Sequence, residues 1–99
     1  MGIDIGTTSL KGCVFDENGN ELVSVTKAYT LITDRERVEF PAERYFELFE
    51  EAYDELSKKV KIDAFAIDTQ GETLIFLDKE GNPLMNAIVW LDNRADKQA

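Results

Sequence analysis

Within the first fifteen residues, MGIDIGTTSLKGCVF, an acid, a glycine turn, three hydroxyls and a base follow one another closely. Gly6 lets the backbone turn tightly and come close to a ligand. The N–H groups of Thr7, Thr8 and Ser9 can then face phosphate oxygens, with their hydroxyls as further donors. Asp4 lies near the end of an apolar strand, where a carboxylate is costly unless paired or metal-bound. Magnesium favours one or two carboxylates with waters and phosphates, so Asp4 suits an indirect magnesium holder. Lys11 can steady a transferring phosphoryl group as a point charge. The same spacing also fits a plain β-turn with an exposed acid and base.

A second polar cluster follows a later apolar run. Gly71 permits close approach or a positive φ, and Gln70 and Glu72 offer acceptors for hydroxyls. Trp90, the only tryptophan, stands near Asp92 and Arg94. An indole face beside carboxylates suits a sugar, which is apolar on one side and hydrogen-bonding on the other. The alternative is a core Trp90 beside a weak surface ion pair.

These residues need elements to carry them. Residues 2–6 and 10–15 read as strands by their apolar, branched content. Asn18-Gly19 marks the turn after them. Residues 21–32 predict an edge strand with a bulge, closing a three-stranded antiparallel meander. Residues 33–39 read as a charged loop. Pro41 can open a helix, and Tyr45, Phe46, Leu48, Phe49, Ala52, Tyr53 and Leu56 recur at helical spacing over residues 42–59. That apolar face reads as core, and Lys58 and Lys59 suit the helix's negative end. Residues 64–68, nearly all apolar, predict a buried strand parallel to the first. Residues 73–77 and 84–90 read as a hairpin, and 91–99 as the opening of a helix. The expected fold is α/β, a ribonuclease-H-like or actin-like half-domain. Strands one and four would lie at the sheet centre, with both polar clusters at their C-terminal ends.

The chain of 99 residues allows one domain. With 20 acids, 11 bases and no histidine, its charge of −9 argues against nucleic acid and anionic membranes. Phosphates held by backbone N–H groups and a metal remain compatible with it. One cysteine, Cys13, excludes an internal disulfide and reads as a small buried core residue. No apolar run approaches ~18 residues, so no membrane span is expected. Without a signal-peptide pattern, a soluble cytoplasmic protein is expected.

The stretch GIDIGTTSLKGCVFDENG (residues 2–19) resembles the first phosphate-binding motif of the FGGY carbohydrate kinases, relatives of actin and the heat-shock chaperone ATPases. Three further segments resemble that family in the same order. Val38-Glu39-Phe40-Pro41 is similar to its Val-Glu-x-x-Pro step, one residue shorter. Asp68-Thr69-Gln70-Gly71-Glu72-Thr73 resembles its Gln-containing substrate loop. The run from Gly81-Asn82-Pro83-Leu84 to Ala87-Ile88-Val89-Trp90-Leu91-Asp92-Asn93-Arg94 is similar to its Gly-x-Pro-Leu … Ala-Ile-x-Trp-x-Asp-x-Arg block.

The resemblance implies ATP and Mg²⁺ as cofactors and a sugar or polyol as phosphoryl acceptor. Asp4 would hold magnesium through water. Gly6, Thr7, Thr8 and Ser9 would line the nucleotide phosphates, and Lys11 would stand near the γ-phosphate, where glycerol kinases carry Arg. Gln70, Gly71, Glu72 and Trp90 would meet the acceptor. Glycerol kinases have Arg-Glu-Thr after that Gln and xylulokinases Met-His-Gly, so Gly71-Glu72-Thr73 leaves the acceptor open. Family kinases are several-fold longer, with the general-base Asp and adenine site beyond the residues present here. Residues 1–99 are therefore expected to be a partial N-terminal lobe, inactive alone. Apolar surface that a longer chain would cover predicts self-association, such as a homodimer. Two other readings are an actin-like regulatory or structural domain without sugar kinase activity, and a stand-alone binding module. Gln70 to Glu72 with Trp90 speak against the first, and the helix beginning at the chain's end against the second.

Overall fold

The computed structural model describes residues 1–98. Its first sheet holds β1 (Gly2–Ile5), β2 (Ser9–Phe15), β3 (Glu21–Ala28) and β6 (Ala66–Thr69), in the order β3-β2-β1-β6. β1 and β2 pair antiparallel, with Asp4 opposite Lys11. β3 is the expected edge strand but stops at Ala28 rather than residue 32, and the β2–β3 register shifts at Val14/Phe15. β6 runs parallel to β1, with Asp4 opposite Asp68 and Ile5 opposite Thr69.

The helix α1 (Ala42–Ser57) starts at Pro41, which is its N-cap. It ends two residues earlier than its apolar spacing predicts, so Lys58 and Lys59 lie just past the last turn. Their N–H groups reach Asp54 O and Leu56 O. Leu48, Ala52 and Leu56 are buried and pack with Ile3, Leu10, Phe40 and Val89 in and around the core. The helical aromatic face is not all core. Phe46 is 63% exposed, and Phe46, Phe49 and Tyr53 stack along the helix beside Phe65.

Residues 33–39 are not a loop. β4 (Ile32–Asp34) and β5 (Arg37–Phe40) form a hairpin that turns at Arg35, with φ 55°. β5 also pairs with β7 (Ala87–Ile88), giving a second sheet of order β4-β5-β7. Charged residues on exposed β4 and at the start of β5 hid this hairpin from the hydropathy pattern. Conversely, most of residues 73–90 is irregular, joined by isolated bridges at Leu74–Ile88 and Leu77–Pro83. Pro83 has no N–H to extend a ladder. Asp96–Gln98 make a single 3₁₀ turn, and Ala99 lies outside the described residues.

β6 runs parallel to β1 as expected but is not buried, nor is it central. All four of its residues are exposed. α1 packs over β2 and β3, leaving β6 as an outer strand paired only with β1 among the described residues. Asp4 and Cys13 lie on the open face of the sheet, not inside it. Asp4 is exposed and Cys13 half-buried, its thiol pKa raised by partial burial and by the nearby Glu21.

Two five-residue turns, Asp16 to Asn20 and Asp78 to Asn82, share one construction. In each, the aspartate carboxylate accepts two backbone N–H groups and the Asn side chain, and a glycine takes a positive φ, 81° at Gly19 and 88° at Gly81. These bonds hold both aspartates below their usual pKa.

Gly12 sets how closely α1 approaches the sheet. A Cβ there would lie 2.9 Å from Leu56 Cδ1 and 3.0 Å from Ile3 Cδ1. Both neighbours are almost wholly buried, so neither can swing clear. Gly12→Ala is expected to destabilise the fold by about 1–2 kcal/mol through overpacking, read as a lowered urea midpoint with an unchanged m-value.

Candidate functional site

At the end of β1 the chain turns through residues 6–9. Gly6 N–H donates to Ser9 O at 2.9 Å, and a Cβ on Gly6 would meet that same oxygen at 3.2 Å. Tyr29 N–H donates to Thr8 O, and the Tyr29 hydroxyl donates to Gly6 O. Among the described residues, no acceptor meets the N–H of Thr7 or Thr8. The turn thus presents unpaired donors, as a phosphate requires.

Beside it, the end of β6 leads into the Gln70 loop, tied by Gln70 N–H to Ile5 O at 2.9 Å. Thr7, Gln70, Gly71, Glu72 and Trp90 line one open cleft of about 440 Å³. The Trp90 indole donates to Thr7 Oγ1 at 3.0 Å, and Thr7 Oγ1 lies 3.1 Å from Gln70 Oε1. Gln70 Nε2 in turn donates to the Tyr45 hydroxyl at 3.3 Å. Trp90 is 49% exposed, so it is not a core residue. Glu72, rather than Gly71, takes the positive φ, 62°. A non-glycine residue there carries backbone strain of about 1 kcal/mol or more.

Both loops rest on one aromatic cluster. Tyr29, Phe40 and Tyr45 meet with ring centroids 4.8 to 6.0 Å apart. Burial raises the pKa of both tyrosines. That of Tyr29 is pushed up to about 12, with the neighbouring Tyr45 and Asp4 adding to the rise. Both stay neutral, able to hold Gly6 O and the Gln70 amide.

The segment just after Trp90 is held by a clasp. The Asp92 side chain is 2% exposed and accepts from Val38 N–H at 2.7 Å. Arg94 reaches Asp92 through Nε at 2.8 Å and Nη2 at 2.7 Å, and Glu39 through Nη2 at 2.6 Å. The Asp92–Arg94 pair is therefore no weak surface contact. Arg94 bonds hold the Asp92 carboxyl well below the usual range and also depress that of Glu39.

The remaining candidate residues fall on the open sheet face. Asp4 and Lys11 line a shallow basin with Cys13, Phe15 and Asp68. Thr8 is exposed and Ser9 opens β2. Sequence reasoning missed Asp68 as a neighbour of Asp4, and Tyr29, Tyr45 and the Asp92 clasp as supports. The parallel register carried a signal for Asp68. The others depend on contacts between residues far apart in the chain.

A meander, a crossover helix and a parallel strand beside the first, with two loops meeting at one edge, define a ribonuclease-H-like, actin-like half-domain. The sequence matches the FGGY family of carbohydrate kinases, N-terminal domain, over residues 1–99. It is 39% identical over 98 residues to glycerol kinase 2 of Thermotoga maritima, covering 91% of this chain and 20% of that one. It is 31% identical over 104 residues to a xylulose kinase of Lactococcus lactis, covering 99% and 21%. A solved gluconate kinase from Lactobacillus acidophilus superposes with a TM-score of 0.92 at 36% identity, covering 98% of this chain and 20% of that one. The chain belongs to the FGGY family of carbohydrate kinases and spans about one fifth of the length of these relatives.

The clasp makes stability depend on acid. Asp92 and Glu39 have folded pKa values below their unfolded ones. Their contribution is complete above the ordinary carboxylate range, about pH 4, and is lost as pH falls through the folded values. Acid unfolding followed by circular dichroism is expected to begin below about pH 4. Asp92→Asn is expected to flatten that dependence and to cost about 2 kcal/mol in urea denaturation at pH 7.

Proposed function

We propose that this chain is the part of an ATP-dependent sugar or polyol kinase that holds the nucleotide's phosphates and one side of the acceptor. The observation that carries the reading is the pairing of β1 with β6, which brings residues 6–9 and 70–72 out at one sheet edge with Trp90 across them. The backbone N–H groups of Thr7, Thr8 and Ser9 would cradle phosphate oxygens, and Lys11 would stand by the transferring group. The acceptor would lie in the cleft, its carbon skeleton on Trp90 and its hydroxyls toward Gln70, Gly71 and Glu72.

Asp4 would hold magnesium through water, with Asp68 beside it in register. Both are exposed oxygen donors, and no group of three metal-ligating side chains occurs among the described residues. That fits an ion which takes few carboxylates and keeps waters and phosphate oxygens. Bound there, it supplies neutralisation of phosphate charge. Phosphoryl transfer also needs a group to accept the acceptor's hydroxyl proton. The family resemblance puts that Asp beyond these residues. The proposed cellular setting is cytoplasmic; no helix of the described residues is long and apolar enough to cross a membrane. Self-association through exposed Phe65, Ile67, Leu74 and Phe76 is part of the same proposal.

Coupled ADP-release assays on the whole kinase with a panel of polyols, ketoses and aldonic acids test the reading. Asp4→Ala and Lys11→Ala are expected to lower kcat about 10²-fold, and Trp90→Ala to raise the acceptor KM about tenfold. Wild-type turnover in Asp4→Ala would remove the proposed phosphate site. Residues 1–99 alone are expected to release no ADP with any acceptor; measurable turnover would show that they carry the proton acceptor after all.

A further inference from the structure

We infer that Tyr29, which lies outside the phosphate turn, is the positioning residue for that turn's donors; the inference rests on the reading that the turn holds the nucleotide's phosphates. Tyr29 follows β3 and grips the turn at two points. Its backbone N–H donates to Thr8 O at 2.9 Å, and its hydroxyl donates to Gly6 O. A backbone N–H only donates and a carbonyl only accepts, so neither bond could run the other way. No peptide of the described residues is cis. A trans peptide is planar, with its C=O and N–H pointing to opposite sides. The Gly6 carbonyl shares its plane with the Thr7 N–H, and the Thr8 carbonyl shares its plane with the Ser9 N–H. Holding those two oxygens therefore aims two of the donors proposed for phosphate. The Thr7 N–H is turned away from the Tyr29 hydroxyl, and no acceptor among the described residues meets it.

Gly6 cannot hold its peptide plane by itself, because glycine restricts its own torsions least of all residues. Tyr29 can, because its ring is fixed by packing. The ring lies 4.8 Å from that of Phe40, which is 4% exposed, and meets Tyr45 edge-on at 6.0 Å. Partial burial also pushes its pKa up to about 12, so the hydroxyl keeps its proton near neutral pH. Tyr45 belongs to the same cluster, but its hydroxyl meets Gln70 Nε2 at 3.3 Å, in the other loop. The two tyrosines thus divide the site: Tyr29 serves the phosphate turn, and Tyr45 the acceptor loop.

Tyr29→Phe removes the hydroxyl and keeps the packed ring. In the whole kinase it is expected to raise the KM for MgATP about fivefold, with the acceptor KM changed less than about twofold. Tyr45→Phe strips a hydroxyl from the same cluster and is expected to raise the acceptor KM instead. An equal rise in the MgATP KM in both variants would mean a general loosening of the cluster, and overturns the inference. An unchanged MgATP KM in Tyr29→Phe overturns it too.

A second measurement needs no turnover. Within residues 1–99 a glycine precedes a threonine only at Gly6-Thr7. Labelling glycine with carbonyl ¹³C and threonine with ¹⁵N therefore marks this peptide, and loss of its signal in Thr7→Ser identifies it in the whole kinase. The Gly6 carbonyl resonance is expected to move upfield in Tyr29→Phe, and the Thr7 nitrogen of wild type to shift on adding MgADP. A carbonyl at the same position in wild type and Tyr29→Phe would show that the tie is absent; the inference then fails, while a MgADP shift still supports the phosphate site. A tie without any MgADP shift would refute the phosphate reading, and the positioning role with it. If Tyr29→Phe does not fold, the wild-type signal decides: a carbonyl at the position of an unstructured Gly-Thr peptide overturns the inference.

Discussion

Parallel pairing of β1 with β6 sets Ile5 opposite Thr69, so both strands end at one level. Each is then followed by a polar loop, and the two loops share a wall because their strands share a ladder. Side chains in a strand alternate between faces, so a slip of one residue in β6 would turn Asp68 to the face opposite Asp4. The pairing is also bracketed at both ends, by Ala66 N–H to Met1 O and Gln70 N–H to Ile5 O. Local turn chemistry decides the shape of each loop. The ladder decides that they meet.

Two supports of different character hold the loops in place. Beneath them the aromatic cluster works by burial, and its hydroxyls stay neutral because ionising them there is unfavourable. Across from them the Asp92–Arg94–Glu39 clasp works by charge, and its carboxyls stay ionised because Arg94 is bonded to both. The cluster joins β3's end, β5 and α1. The clasp joins β5 to the segment after β7, and Trp90 stands between β7 and Asp92. Both supports reach β5 through neighbouring residues, Val38, Glu39 and Phe40. The short β4–β5 hairpin thereby matters more to the site than its charged sequence implies.

That hairpin is also where the sequence was hardest to read. Strand signals were legible where apolar residues alternate or run together, as in residues 10–15, and where a glycine marks a turn, as at Asn18-Gly19. The helix was legible from its spacing, and the parallel partner of β1 from its apolar run after that helix. The β4–β5 hairpin turns on Arg35 without a glycine and carries Asp34, Glu36 and Arg37, so its composition resembles a loop. Apolar content misled in the opposite direction for residues 64–68 and 73–77, which are exposed or irregular because α1 does not extend over them. At the site, the residue types in both loops could be named in advance. The exposure of Asp4, the positive φ at Glu72 and the ties from Thr7 to Gln70 and Trp90 could not, since each follows from partners more than fifty residues away or from local backbone geometry.

The paired Asp-x-x-Gly-Asn corners are closed systems. Each satisfies its own donors within five residues, with the aspartate as hub and the glycine supplying the one conformation that other residues resist. Neither borrows a bond from the core in order to exist. Flanking strands can therefore change composition without unmaking the corner, and the corner can change its exposed middle residues without disturbing the strands. In evolutionary terms these are modular joints, where drift at Glu17 or Lys79 is insulated from selection on the cleft. The turn at Gly6 is the opposite case, because besides its own Gly6–Ser9 bond it leans on Tyr29, Gln70 and Trp90 from distant parts of the chain.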